Sequence, residues 1–419
     1  MEKMIKVDVG IIGGGLSGLI AAYELQKQLN TNANVIVLEK EPYLGGRIFS
    51  KEFQKCPIEL GAQFFIQGGE VHDLIKSLNL ESKIIPLHEK FISFYYDKKI
   101  YPRKDITKID LFKSNQGIQE KQKLFQHSKK ITFTQDLLVP SFEDWYQKNI
   151  GDHLIPFWNR MLMSIGVRDI RSINAYFGLT LINVFFGENY LLKTGLNQLI
   201  NKISENILSS GGKIITNAKC TNLQNIEEKY CVEYQKDNKI IEEILFDKII
   251  PAVTPTDLLK FYNINFLKSL NKIDSYPMTL YVITSTEKLW DITWGLIVCD
   301  EKSPIYALCD WRNISKVSKD TPILAICSPF ATADEVIAEL KTLFPLNKTN
   351  YKVIYEKKWT VGLHQFNENF FKIPREIIIN LPSNFYLAGD WMVLPALEGA
   401  VISGKKVVKL LIKDHYNNL

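Results

Sequence analysis

The chain has 419 residues, 46% of them hydrophobic and 23% charged, with a formal net charge of +5. That length exceeds one ordinary domain and fits two interwoven ones, and the apolar content is ample for large cores. So mild a charge excess gives no reason to expect nucleic acid as a partner, and six cysteines without a CxxC pair, a metal-ligand spacing or an HExxH motif argue against a metal centre and for reduced, buried thiols.

The first predicted element is a strand over Val7 to Ile12. Gly13, Gly15 and Gly18 follow in the order G-x-G-x-x-G, opening a helix from Leu16 to about Leu29. A second apolar strand, Val35 to Leu38, ends on Glu39. This βαβ unit, with an acid about 20 residues beyond the last glycine, is the arrangement that binds a dinucleotide. Gly13 allows the tight turn, Gly15 lets a pyrophosphate approach the backbone, and Gly18 lets helix and strand pack closely. The first helical residues, Leu16 and Ser17, bring unpaired N–H groups to the phosphates. Glu39, followed by Lys40, is placed to accept hydrogen bonds from a ribose diol.

Further along, a hairpin is predicted from Phe91 to Tyr96, turning at Asp97 to Lys99 into Ile100 and Tyr101. The stretch Lys98 to Lys130 carries ten basic and three acidic residues with apolar neighbours. It reads either as a mobile lid or lipid-touching patch, or, more ordinarily, as a solvated surface excursion. A helical region dense in aromatics follows. A helix ending at Ser209 before Gly211 and Gly212 then leads into a strand at Lys213 and a β-meander to Val253. Strands are expected over Tyr276 to Ile283 and around Trp359, and an apolar strand from Phe385 runs into Gly389 and Asp390. A helix opens near Leu397, Glu398 and Ala400. No apolar run is long enough to span a bilayer, and the first strand starts too early for a signal peptide. A cytoplasmic, soluble protein is therefore expected, and a homodimer is compatible with it.

Beyond Glu39, the residues Gly45, Gly46 and Arg47 resemble the GGR signature of the flavin-containing amine oxidase superfamily, which includes amine oxidases, protoporphyrinogen oxidases and carotenoid desaturases. The run Glu59-Leu60-Gly61-Ala62-Gln63-Phe64 resembles its segment passing the flavin ring. The stretch Gly389-Asp390-Trp391 with Leu397-Glu398-Gly399-Ala400 looks like its C-terminal FAD motif. The resemblance implies an α/β fold: a Rossmann-type FAD-binding domain (1–85, 191–255 and 376–419) interwoven with an α+β substrate-binding domain (86–190 and 256–375). It implies that Arg47 pairs with pyrophosphate and that the strand carrying Cys220 touches adenine. It also implies FAD held without a covalent bond, because the Trp359 to Phe366 segment lacks the linking cysteine of monoamine oxidases.

Two departures bear on the chemistry. The strand Tyr276 to Ile283 has no lysine where monoamine and polyamine oxidases carry one, and Ala396 stands where they often place a tyrosine. His364 and Trp391 are the candidate catalytic residues. Three functions remain open. One is oxidation of a small-molecule substrate at a C–N bond, with dioxygen as acceptor. The second is desaturation of a lipophilic or tetrapyrrole-like carbon skeleton. The third is non-catalytic flavin binding. The first is slightly preferred, because amines are the commoner substrates of unanchored relatives.

Overall fold

The computed structural model describes residues 7–29, 33–237, 240–285, 287–345 and 350–417. Strand β1 (Val7–Ile12), helix α1 (Leu16–Leu29) and strand β2 (Ala33–Leu38) form the predicted opening unit. The two strands pair in parallel, Ile12 beside Leu38. Lys213–Ile215 joins β2 and Lys248–Pro251 joins β1, both in parallel, giving a four-stranded sheet. Its strands are near-continuous apolar runs, as a sheet covered on both faces requires. Their carboxyl ends, at Ile12, Leu38, Ile215 and Pro251, lie side by side, where open α/β sheets bind ligands.

The segment expected as a strand before Gly389 is instead a short extended run. It is held by Tyr386 N–H donating to Ile249 O at 2.9 Å and Ala388 N–H to Pro251 O at 3.1 Å. With Ile249 N–H donating to Asn384 O at 3.0 Å, these three bonds make a single parallel bridge, Ile249 beside Phe385, and bring Gly389 beside Pro251. The last helix, Leu397–Asn417, then packs along α1 so closely that a Cβ on Gly404 would stand 2.6 Å from the Ser17 carbonyl oxygen.

The second layer is a seven-stranded mixed sheet. Its order is Lys352–His364, Ser275–Thr284, Ile323–Cys327, Ile305–Cys309, Gly295–Val298, Ile92–Tyr96 and Lys99–Pro102. One face, with Tyr281, Ile283 and Cys327, is sealed by the helix Ala333–Leu343, which a Thr332–Glu335 capping box starts. The other face looks across to the aromatic-rich helices Ile155–Met163 and Ala175–Phe186. The predicted hairpin is present, and Asp97 and Lys98 take φ of 47° and 58° at its turn. Ile84–Pro86 and Asn189–Leu192 pair with each other where the chain passes between the layers.

Within the basic stretch, Ile106, Ile109, Phe112 and Leu124 are buried, and Phe112 packs edge-on against Phe157 at 4.8 Å. These four apolar residues are therefore core, Ile100 and Ile118 stay exposed, and the lysines form a solvated outer face. All six cysteines are buried and free. Among the described residues, no helix is long and apolar enough to cross a membrane and no cluster of His, Cys, Asp and Glu could hold a metal.

Candidate active site

The glycine turn is built as its spacing predicts. Gly13 adopts φ 111° and donates to Leu38 O at 2.8 Å, a conformation that favours glycine. A Cβ on Gly18 would collide with the Gly13 carbonyl, so Gly18 sets the helix–strand approach without facing the site. Gly15 differs. A Cβ there would meet only Gly46 Cα, at 4.0 Å, and would otherwise project into open space at the N-terminus of α1. Gly45 and Gly46 lie alongside with φ of 106° and 59°, and Gly45 donates to Gly14 O at 2.8 Å. Two glycine strips thus line a cradle that one side chain would fill. A pyrophosphate fits that space and that polarity.

A single cavity of about 560 Å³ starts at this cradle. Of the residues read from the sequence, Gly13, Gly15, Leu16, Ser17, Glu39, Lys40, Gly45, Gly46 and Arg47 line it. So do Gly61, Ala62, Gln63, Phe64, Gly389, Asp390, Trp391, Leu397 and Ala400. Glu39 is buried and accepts from the Gly14 N–H at 2.6 Å and the Glu41 N–H at 2.8 Å; burial holds its carboxyl above the ordinary range despite those donors. Lys40 pairs with Asp257 at 2.9 Å. Arg47 reaches Asp390 at 2.5 Å, so part of its fork is occupied within the protein. Trp391 is buried and donates from Nε1 to Val253 O at 2.9 Å, which makes it a fixed wall.

Three residues read as site residues lie off the cavity wall besides Gly18. Glu398 turns away and accepts from Glu70 N–H at 2.6 Å and Val71 N–H at 3.3 Å, capping the helix Glu70–Ser77. Cys220 is buried behind a bulge in the strand Ala218–Ile226, with Sγ turned to Asn222 O at 3.5 Å. His364, read as substrate-facing, is not. A register shift opposite Tyr276 and Met278 turns Leu363 into the cavity and His364 into the core, 2% exposed. Its Nε2 lies 3.9 Å from Asp390 Oδ1, and neither ring nitrogen has a hydrogen-bond partner among the described residues. Burial lowers its pKa to about 4, partly opposed by Asp390.

In the far half of the cavity, Met278 and Leu280 and the run Trp359 to Leu363 come from the two segments the sequence reading set beside the flavin, whereas Ser164, Ile165, Phe177, Leu181, Ile326, Lys357 and Lys358 were missed. Ala252 and Val253 were findable, because they follow a strand at the carboxyl edge of the parallel sheet. The aliphatic residues carried no motif. Glu59 opens the segment read as passing the flavin ring but was given no role of its own. It is fully buried, accepts from Ser50 Oγ at 2.6 Å and Leu196 N–H at 2.7 Å, and burial raises its pKa to about 7.

The parallel sheet, the glycine cradle at its carboxyl edge and the second sheet closing over it define a two-layer α/β architecture with a cavity between the layers. Residues 16–294, more than half the chain, match the family described as flavin containing amine oxidoreductase, and the chain belongs to that family. An uncharacterized protein of Methanocaldococcus jannaschii is 24% identical over 273 residues, 63% of this chain and 63% of its own length. A probable flavin-containing monoamine oxidase A of Dictyostelium discoideum is 31% identical over 160 residues, 34% of this chain and 33% of that protein. This chain therefore spans less than two thirds of the length of these curated relatives. The fold is shared nearly end to end with a putative protoporphyrinogen oxidase from Exiguobacterium sp. 255-15, at TM-score 0.76 and 16% identity, covering 97% of this chain and 99% of that one. The CLA-producing fatty acid isomerase from P. acnes gives TM-score 0.77 at 14% identity, covering 96% and 98%.

Proposed function

We propose that the chain is an FAD-dependent oxidoreductase that removes hydride from a C–H bond of an apolar-bodied small molecule and passes the electrons to dioxygen. The observation that carries this reading is the continuity of one cavity, from the glycine cradle to a chamber walled by Ile165, Leu181, Met278, Leu280, Ile326 and Leu363. A volume of about 560 Å³ is within the roughly 300–1,000 Å³ of small-molecule sites. Bound flavin supplies the hydride acceptor. Gly13, Gly15 and the first amides of α1 would hold the pyrophosphate and Glu39 the ribose, and Trp391 with Pro395 lines the same cavity. The aliphatic chamber excludes water and orients the substrate body by shape. Substrate gives up a hydride and a proton and gains one double bond; dioxygen takes two electrons and two protons and leaves as hydrogen peroxide.

The sequence reading leaned toward a C–N bond. The lining favours a carbon skeleton instead. Ala396 stands in the wall, Met278 and Leu280 hold the strand positions where a lysine would be sought, and no carboxylate lies among the chamber residues named above to balance an ammonium substrate. An amine remains the second reading, favoured by the family match.

The cofactor part of the proposal is tested by acid precipitation of purified protein. All yellow colour is expected in the supernatant as FAD, because none of the six buried cysteines lines the cavity. Flavin retained in the pellet would mean a covalent link. The reaction is tested by anaerobic mixing with unsaturated acids, polyenes, porphyrinogens and amines. Carbon-skeleton substrates are expected to bleach the flavin band, and readmitted air to restore it with one peroxide per turnover. Bleaching by amines alone would return the reading to amine oxidation. A flavin-loaded protein that nothing bleaches would be a binding protein.

A further inference from the structure

We infer that Lys357 is an anion anchor in the cavity wall, and that the substrate is an amphipathic acid whose carboxylate it holds. The inference rests on the reading of the aliphatic chamber as the substrate site.

Four cationic side chains line the cavity: Lys40, Arg47, Lys357 and Lys358. Lys40 has Asp257, Arg47 has Asp390, and Lys358 has Glu356 at 3.0 Å. Lys357 alone of these has no carboxylate partner among the described residues. Its Nζ donates to Tyr43 Oη at 3.1 Å and stands 4.2 Å from the Trp359 ring centroid, 4.7 Å from Phe49 and 5.4 Å from Tyr43. Trp359 is itself pinned, donating from Nε1 to Leu60 O at 2.6 Å. Three rings, one of them also giving its phenol oxygen, fix the ammonium in place without cancelling its charge. The position is built, and its counter-charge is missing.

Sheet register shows what that counter-charge would be attached to. Lys357 is directly opposite Leu280, and Leu280 directly opposite Ile326, so the three form one row across three strands. Trp359 and Met278 form the next row. Directly opposed residues share a sheet face, and all five line the cavity. The row thus runs from an unneutralised ammonium on the edge strand to aliphatic side chains two strands in, about 10 Å away. A molecule matching it has an anionic head and an apolar body.

The test uses the flavin-loaded protein and three probes, decanoate, 1-decanol and decylamine, with binding read from tryptophan fluorescence and flavin absorbance. Decanoate is expected to bind about ten- to a hundredfold more tightly than decanol, the range of a charge-assisted contact, and decylamine no better than decanol. Lys357→Met should erase the preference for decanoate while leaving decanol affinity and FAD content unchanged. Lys357→Arg should keep it. Decanol binding with no preference for decanoate would overturn the anchor and leave the chamber reading intact. Failure of both decanol and decanoate to bind would overturn the chamber itself. If Lys357→Met loses FAD and keeps the preference for decanoate, the lysine serves the cofactor's phosphates and the inference is wrong.

Discussion

Gly15→Val is expected to yield a folded protein that holds no flavin. The two halves of that outcome have separate causes. A Cβ at Gly15 meets nothing of the protein closer than Gly46 Cα, at 4.0 Å, and Gly15 is not among the positive-φ glycines, so the fold accommodates the branched side chain. The methyls project instead into the cradle in front of α1, the space a pyrophosphate needs. Loss of at least about a hundredfold in FAD affinity, near 3 kcal/mol, is expected. Purified variant should carry less than about a tenth of the wild-type flavin and melt as flavin-free wild type does. Gly18→Val is the informative contrast: its Cβ strikes the Gly13 carbonyl, so that variant should lose stability as well as flavin. Stoichiometric FAD on purified Gly15→Val would remove the cradle from the site.

The second large effect is a pH dependence hidden by compensation. Glu59 has a folded pKa of about 7 against an ordinary 4.5. The folded state binds its proton more tightly than the unfolded state does. Its stabilisation is therefore complete below about pH 4.5 and lost as pH rises through 7, by about 3 kcal/mol in all. His364 has a folded pKa of about 4 against an ordinary 6.5. Here the unfolded state binds the proton more tightly, so stability is complete above about pH 6.5 and falls by a similar amount on acidification to 4. Between pH 4.5 and 6.5 the two slopes oppose each other, and the wild type should show a nearly flat profile. Single variants uncover each slope. In urea titrations at saturating FAD, Glu59→Gln should gain about 2.5 kcal/mol over wild type between about pH 5 and pH 8. The neutral amide does not titrate, and its carbonyl still accepts from Ser50 or from the Leu196 N–H. His364→Asn should gain over wild type as pH falls instead. A Glu59→Gln difference that stays constant with pH would show that the carboxyl titrates normally.

Legibility in the sequence followed the range of the interactions involved. The glycine turn, its helix and Glu39 were readable because a βαβ unit is closed by neighbours within some thirty residues, and each glycine has a separate steric duty that spacing encodes. Glu398 was misread for the opposite reason. Its capping of Glu70 and Val71 spans more than 300 positions, and only the folded packing of the last helix on the first layer creates it. His364 was lost to a register irregularity, which inverts the facing of every residue beyond it and leaves no mark in composition. The strand Tyr276 to Ile283 was correctly read as lacking a lysine. The lysine in the wall, Lys357, stands on the neighbouring strand opposite Leu280, a position that strand pairing sets and local pattern does not. The aliphatic chamber was invisible because Met, Leu and Ile look alike in a wall and in a core.

The contact between Arg47 and Asp390 joins residues 343 positions apart, and this orders events in time. On a ribosome making roughly 5–20 residues per second, the glycine cradle emerges some 20 to 70 seconds before the segment that closes the site beside it. Throughout that interval the nascent β1–α1–β2 unit lacks the Gly389 turn and the helix that packs on Ser17, and for the first part of it the Lys248–Pro251 strand as well. The newborn chain has a phosphate cradle with no opposite wall. On the proposed reading of the cradle, cofactor capture is a late event of biosynthesis, a clasp on a chain that has already folded instead of a nucleus for its folding. Growth without riboflavin should accordingly leave full-length protein that can still be loaded afterwards.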